Sequence, residues 1–365
     1  MSSNHKNLQN ASASNDQSRE LQETIKSAYH NQTLLHIIGN GTKSFYGYPA
    51  QGQRLDVSNH CGVIDYEPSE LVLTARAGTP LFAIETILEK GGQMLAFEPP
   101  HYGEGATLGG TIACGFSGPR RPYSGAARDF VLGITCLNGK GDLLKFGGQV
   151  MKNVAGYDVS RLMVGALGTL GVLLEISLKV LPKPAQEVTV VLAKEFNEAI
   201  NAMNSWAAQP LPLSAAAYVD GQIYARLSGT EGGVKAAVRQ LGGEEYDQRQ
   251  QFWQDLREHQ HPFFQDNTPL WRLSLAPGTP PLKLPGQWFL DWGGAQRWLK
   301  TDAPADDIRA SVAAVEGHAT LFRSPDRAES VFHPLPPPLA ALHIRVKKAF
   351  DPQRILNRNR LFKED

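Results

Sequence analysis

Glycine placement constrains this chain more than any other feature. Residues 38–44 read IGNGTKS, residues 105–115 read GATLGGTIACG, and GALGTLGV occupies 165–172. Runs so rich in glycine and so poor in charge do not pack as ordinary core strands. They supply bare backbone, either for tight turns or for a ligand that must approach the peptide groups closely. Two phosphate-binding patterns fail: no G-x-x-x-x-G-K-[ST] occurs, and Gly39-Asn40-Gly41 is not followed by a third glycine opening a helix. What remains is a pair of glycine loops, Gly39 to Ser44 and Ala106 to Gly115, whose N–H groups close on one anion from two sides. Plain tight turns are the competing reading.

A chain of 365 residues exceeds what one hydrophobic core usually fills, so two domains are expected. The 36 basic residues balance 36 acidic ones, which leaves no electrostatic footprint for nucleic acid. Cys61, Cys114 and Cys136 are far apart and include no C-x-x-C pair, so neither a disulfide framework nor a metal site is expected. The polar opening, residues 1–17, reads as a disordered tail without a signal peptide's apolar centre. No stretch approaches the roughly 20 apolar residues of a membrane helix. A cytoplasmic location follows, with any membrane contact made through a partner.

Leu21, Ile25 and Tyr29 form a helical stripe ahead of the apolar run LLHII. Thr79-Pro80 opens a second helix, with Thr79 as cap and Gly91-Gly92 beyond its end. Two strands between Val131 and Phe146 are expected to turn at Asn138-Gly139. The alternation from Leu174 to Val180 marks a strand with one buried face, and PKPA then ends the first domain. Residues 185–330 mix strands and helices without a repeat, with a hairpin at Asp220-Gly221 and a Pro-rich passage from Pro262 to Pro285, and read as α+β. Residues 331–365 hold a helix broken by Pro352.

The ordered stretches GNGTKSFYG, LTARAGTPL, EPPHYGEGATLGGTIACGFSGPRRPYSGAARDFVLG, MKNVAGYDVSRLMVGALGTLGVLLEISLKVLPKP and FDPQRILNRNR resemble the vanillyl-alcohol oxidase, or PCMH-type, FAD-binding fold. Within it they are similar to the FAD-binding E subunits of bacterial glycolate oxidases. The resemblance implies an α+β chain with a two-part FAD-binding domain over 18–184, a smaller α+β cap over 185–330, and a C-terminal return over 331–365. It implies FAD contacts from Ile38, Gly39, Asn40, Gly41, Thr42, Lys43 and Ser44, from Thr107, Leu108, Gly109, Gly110, Cys114, Gly115, Ser117 and Gly118, and from Gly168, Gly171 and Val172. Lys152 and Asn153 are expected beside the cofactor, and Asp158 as a helix cap. With Thr42-Lys43-Ser44 in the first loop in place of His or Cys, noncovalent FAD is expected. The family's terminal N-P-G-[KR] stands here as Asn357-Arg358-Asn359-Arg360, which keeps Asn357 but loses proline and glycine.

The chemistry of the substrate is less marked. Arg120 and Arg121 are the candidates for gripping a small carboxylate, against a plain structural or subunit-contact role, and Lys152 is a further candidate for the catalytic site. Related 2-hydroxy-acid dehydrogenases carry a metal-binding histidine cluster; here Gly317-His318 and the pair His259/His261 lack ligand spacing, and no metal is expected. The implied function is the FAD-bearing subunit of a multi-subunit glycolate oxidase, relaying electrons from a catalytic flavoprotein to an iron–sulfur subunit. The alternatives are a 2-hydroxy-acid dehydrogenase in its own right and a scaffold without flavin.

Overall fold

The stripe at Leu21 and Ile25 forms the helix Ser18–Asn31, which buries Leu21, Ile25 and Ala28. Each such Leu or Ile removed from water stabilises the fold by about 1.5–3 kcal/mol. The computed structural model describes residues 14–148, 158–325 and 331–363. It divides the chain into one unit comprising residues up to Phe116, Ala126–Pro182 and Leu335 onward, and another comprising Ser117–Gly125 and Lys183–Pro334. The segment Ser117–Gly125, read from sequence as part of the first domain, therefore falls in the second unit.

In the first unit, Leu35–Ile38 pairs in parallel with Gln53–Asp56, and Leu356 bridges in parallel to Leu35. The C-terminal return thus joins the small sheet beneath the first glycine loop. A larger antiparallel sheet runs in the order Val63–Glu67, Val72–Arg76, Val172–Lys179, Val131–Leu137, Leu143–Gly147. Its alternation turns Leu73, Ala75, Ile134 and Ile176 into the main core with Leu81, Ile84 and Leu88. Thr74 and Ser177 take the other face, hydroxyl to hydroxyl at 2.9 Å.

Two turns differ from the sequence reading. Thr79 does not cap the helix Leu81–Lys90; Pro80 is the capping residue, and the buried Thr79 hydroxyl exchanges hydrogen bonds with the backbone of Gly62. The hairpin turn is longer than Asn-Gly, because the Asn138 side chain accepts from the N–H groups of Lys140 and Asp142, and the left-handed residue is Gly141 at φ 78°.

Among the described residues, the second unit carries an eight-stranded antiparallel sheet together with the helices Phe196–Ala207, Glu231–Leu241, Arg249–Glu258 and Ala305–Ala313. The strand order is Glu244–Glu245, Gln186–Ala193, Gln222–Gly229, Leu213–Val219, Gln287–Asp291, Gln296–Lys300, Leu270–Ser274, His318–Arg323. Asp220 and Gly221 both adopt positive φ, 51° and 77°, which a two-residue hairpin requires. The Pro-rich passage contains the strand Leu270–Ser274. Its remaining loop is held by the fully buried Arg297, which donates to the carbonyls of Gly294, Pro280 and Thr279. Burial pushes that guanidinium down to about 10, so it stays cationic at neutral pH.

Candidate functional site

The strand Leu35–Ile38 delivers the first glycine loop to an open cleft. Every residue from His36 to Ser44 lines it. A Cβ on Gly39 would sit 2.7 Å from the Thr107 hydroxyl, so only bare backbone lets the loop approach that close. The N–H groups of Asn40, Gly41 and Thr42 make no hydrogen bond among the described residues. Three backbone donors thus stand at the cleft wall.

The second glycine stretch differs from expectation. It is not a loop but the start of the helix Leu108–Cys114, with Thr107 as its cap. Its first amides are already used: Leu108 N–H donates to Thr79, Gly109 N–H to Ala77 at 2.6 Å, and Gly110 N–H to the Thr107 hydroxyl at 3.2 Å. Leu108, Gly109 and Gly110 therefore offer no open amide to the cleft. Gly109 serves close packing of the helix on Ala77, while Thr107, Gly109, Gly110, Ala113 and Cys114 line the cleft.

Charge in the cleft has one sign. Lys43 and Arg360 line it together with His36, and among the described residues no carboxylate does. The buried Lys43 ammonium donates to the His101 carbonyl at 3.0 Å, and Arg360 donates to the Tyr48 carbonyl at 2.9 Å. Burial pushes the Cys114 thiol above its usual value, against the pull of Lys43 and Arg360. Burial, then Arg360 and Arg54, holds the His36 imidazole below its usual value.

The C-terminal motif completes the lining through Asn357 and Arg360. Arg360 N–H donates to the Asn357 carbonyl at 3.1 Å, closing a four-residue turn in which Asn359 adopts φ 62°. Asparagine tolerates this left-handed region better than most residues, so Asn359 can stand where the family has glycine.

Of the residues expected at the cofactor, Ile38 to Ser44, Thr107, Gly109, Gly110, Cys114, Gly168, Gly171 and Asn357 line the cleft. Leu108 is fully buried in the main core. Val172 points into the core around the first helix, because strand alternation turns Gly171 and Leu173 to the cleft and Val172 away. Gly115 ends its helix at φ 65°. Ser117 and Gly118 belong to the second unit, where the Gly118 carbonyl accepts from the Trp292 indole at 3.0 Å. Lys152 and Asn153 lie outside the described residues, whereas Asp158 caps Val159–Met163 by accepting from Arg161 N–H. Sequence reasoning missed several lining residues, among them His36, Ala77, Ala113, Leu173 and Arg360; for Leu173 the period-two pattern was the available signal.

The paired arginines are committed within the second unit. Arg120, 7% exposed, donates to Glu187 at 2.6 Å and to Ser228 at 3.3 Å. Burial pushes the Glu187 carboxyl up, but Arg226 and Arg120 outweigh it and hold it below its usual value. Arg121 stacks over the Trp292 ring at 4.2 Å. His259 lies flat against Phe264, ring centroids 4.0 Å apart, and His261 accepts from Phe263 N–H. Among the described residues no three His, Cys, Asp or Glu side chains converge as a metal site, and no helix is long and apolar enough to cross a membrane.

Unbonded N–H groups, two cations and the apolar Ile37, Ile38, Ala77, Ala113 and Leu173 fit a molecule that joins a phosphate portion to flat apolar rings. Comparison with known proteins agrees. Residues 14–147 match the family described as FAD binding domain. The chain is 50% identical over 349 residues to glycolate oxidase subunit GlcE of Escherichia coli (strain K12), covering 96% of this chain and 98% of that one. It is 33% identical to glycolate oxidase subunit GlcD of Bacillus subtilis (strain 168) over 43% of this chain and 34% of that one. In fold it is similar to p-cresol methylhydroxylase, with a TM-score of 0.71, 15% identity and coverage of 97% and 89%. Alkyldihydroxyacetonephosphate synthase follows at a TM-score of 0.64, 14% identity and coverage of 93% and 74%. These findings bear out the α+β, PCMH-type fold and FAD as the cofactor. The chain belongs to the family of the glycolate oxidase subunit GlcE.

Proposed function

We propose that this chain holds FAD without a covalent bond in the cleft around Gly39–Ser44. It then serves as the electron-transfer subunit of a complex that oxidises glycolate to glyoxylate, between a catalytic flavoprotein subunit and an iron–sulfur subunit. FAD, when bound, supplies a reversible acceptor for two electrons. The chain's part is to bind and orient: the N–H groups of Asn40, Gly41 and Thr42, with the Lys43 and Arg360 cations, would hold the phosphate portion. That one-signed, amide-rich cleft is the observation that carries the reading. The raised Cys114 thiol supports noncovalent binding, since the thiolate is the nucleophile and burial disfavours it.

The relay role, rather than direct oxidation of glycolate by this chain, is supported by the arginines. A substrate carboxylate would have to compete with Glu187 for Arg120 and with Trp292 for Arg121. Any membrane association, at the inner face, runs through the complex.

The test is anaerobic addition of glycolate to the isolated, FAD-loaded chain. The flavin absorbance should stay that of the oxidised form, while the assembled complex reduces a dye acceptor and loses that activity when only this chain is omitted. Arg121→Ala should leave the apparent KM of the complex for glycolate unchanged. Rapid bleaching of the isolated chain would make it the dehydrogenase itself.

A further inference from the structure

Lys347, 1% exposed, is buried in the otherwise exposed or half-buried helix Pro337–Phe350, and Asp351, just beyond it, is 0% exposed. The Lys347 ammonium donates to the Thr169 carbonyl at 2.8 Å, to the Leu356 carbonyl at 2.8 Å, and to Asp351 Oδ2 at 2.7 Å. Asp351 in turn accepts from Leu356 N–H at 2.8 Å and from Ile355 N–H at 3.1 Å. Both carbonyls held by the ammonium adjoin cleft residues. Thr169 follows Leu167 and Gly168, and Leu356 precedes Asn357. The same two segments meet again at the cleft, where a Cβ on Gly168 would lie 2.7 Å from the Asn357 amide nitrogen.

A buried ion pair is an inefficient way to stabilise a core, because an apolar pair of similar volume usually does as well. An ammonium does what an apolar side chain cannot: it fixes two carbonyls from distant segments at hydrogen-bond distance from one atom. We propose that Lys347, held by Asp351, is a positioning residue for the cofactor cleft, setting the spacing between the 167–169 turn and the 356–357 segment. The proposal rests on the cleft being the FAD site.

The experiment uses the full chain, deflavinated and titrated with FAD. Lys347→Met/Asp351→Asn removes both charges together and keeps one acceptor oxygen at position 351. Leu88→Ala, in the main core and not among the cleft residues, controls for general loss of stability. At a temperature where far-UV circular dichroism shows each variant folded, the double variant should bind FAD about tenfold more weakly, the worth of one lost hydrogen bond. Its bound flavin should also show an altered visible circular dichroism spectrum, while Leu88→Ala keeps both wild-type values. If the double variant does not fold, Asp351→Asn alone should weaken FAD by about threefold. A wild-type Kd and flavin spectrum in either folded variant overturns the positioning role and leaves the cleft assignment standing; full FAD occupancy in Gly110→Val overturns the cleft assignment itself and the proposal with it.

Discussion

The side-chain amide of Asn357 donates to the carbonyl of Leu167 at 2.7 Å, joining residues 190 positions apart in sequence. Its oxygen accepts from Ile37 N–H at 2.8 Å. One nearly buried side chain thus ties the C-terminal return to the glycine turn at 167–168 and to the strand that delivers the first glycine loop.

Asn357→Ala leaves the Ile37 N–H and the Leu167 carbonyl without that partner. At about 1–3 kcal/mol per unsatisfied buried group, the first unit should lose about 2–6 kcal/mol. All six tryptophans lie between 206 and 298, inside the second unit, so their fluorescence reports that unit alone. Urea unfolding should therefore shift in far-UV circular dichroism and stay fixed in tryptophan fluorescence.

Asn359 holds φ 62° in the turn closed by Arg360. Asn359→Gly should change stability by less than about 0.5 kcal/mol, and Asn359→Val should cost about 1–2 kcal/mol, the penalty of a left-handed β-branched residue. Equal urea midpoints for the two variants would contradict the turn assignment.

Burial, with Arg323 and Arg272 adding to it, holds the His259 imidazole well below its usual value, so the folded state keeps it neutral. Below a pH of about 6.5 the unfolded chain takes up a proton there that the folded chain does not. Stability of the second unit is therefore full above that pH and falls on acidification, by up to about 1.4 kcal/mol per pH unit for this site. His259→Asn should lower the midpoint at neutral pH through lost stacking on Phe264, yet flatten its fall between pH about 7 and 5. An unchanged slope by tryptophan fluorescence would show that His259 is protonated in the fold.

Acid precipitation should release the flavin into the supernatant. Flavin retained in the washed pellet would place a covalent bond in the cleft, with Cys114 and His36 as the side chains to examine.

Much of the fold was legible where local chemistry decides conformation. The stripe at Leu21 and Ile25 and the Asp220-Gly221 hairpin are set by periodicity and by positive φ, both properties of a few adjacent residues. The first glycine loop was readable for the same reason. The Leu270–Ser274 strand was hidden by the prolines around it, since its stability comes from pairing with Gln296–Lys300 and His318–Arg323. Likewise, sequence could not say that the amides at Leu108 and Gly109 are spent on Thr79 and Ala77, because those acceptors are set by how strand and helix pack. The fates of Arg120 and Arg121 depend on Glu187 and Trp292, partners no local pattern announces.

The FAD content of Gly110→Val decides whether the cleft holds the cofactor. Gly110 lines the cleft in a helical turn, and a Cβ there would meet only the Thr107 hydroxyl, at 3.1 Å, so the added methyl groups fill cleft space more than they disturb the core. The variant should fold, by its far-UV circular dichroism and tryptophan fluorescence, and should purify without flavin or bind it at least about tenfold more weakly, as expected for the loss of about 1.4 kcal/mol or more. A folded Gly110→Val chain carrying the wild-type complement of FAD would contradict the assignment of this cleft.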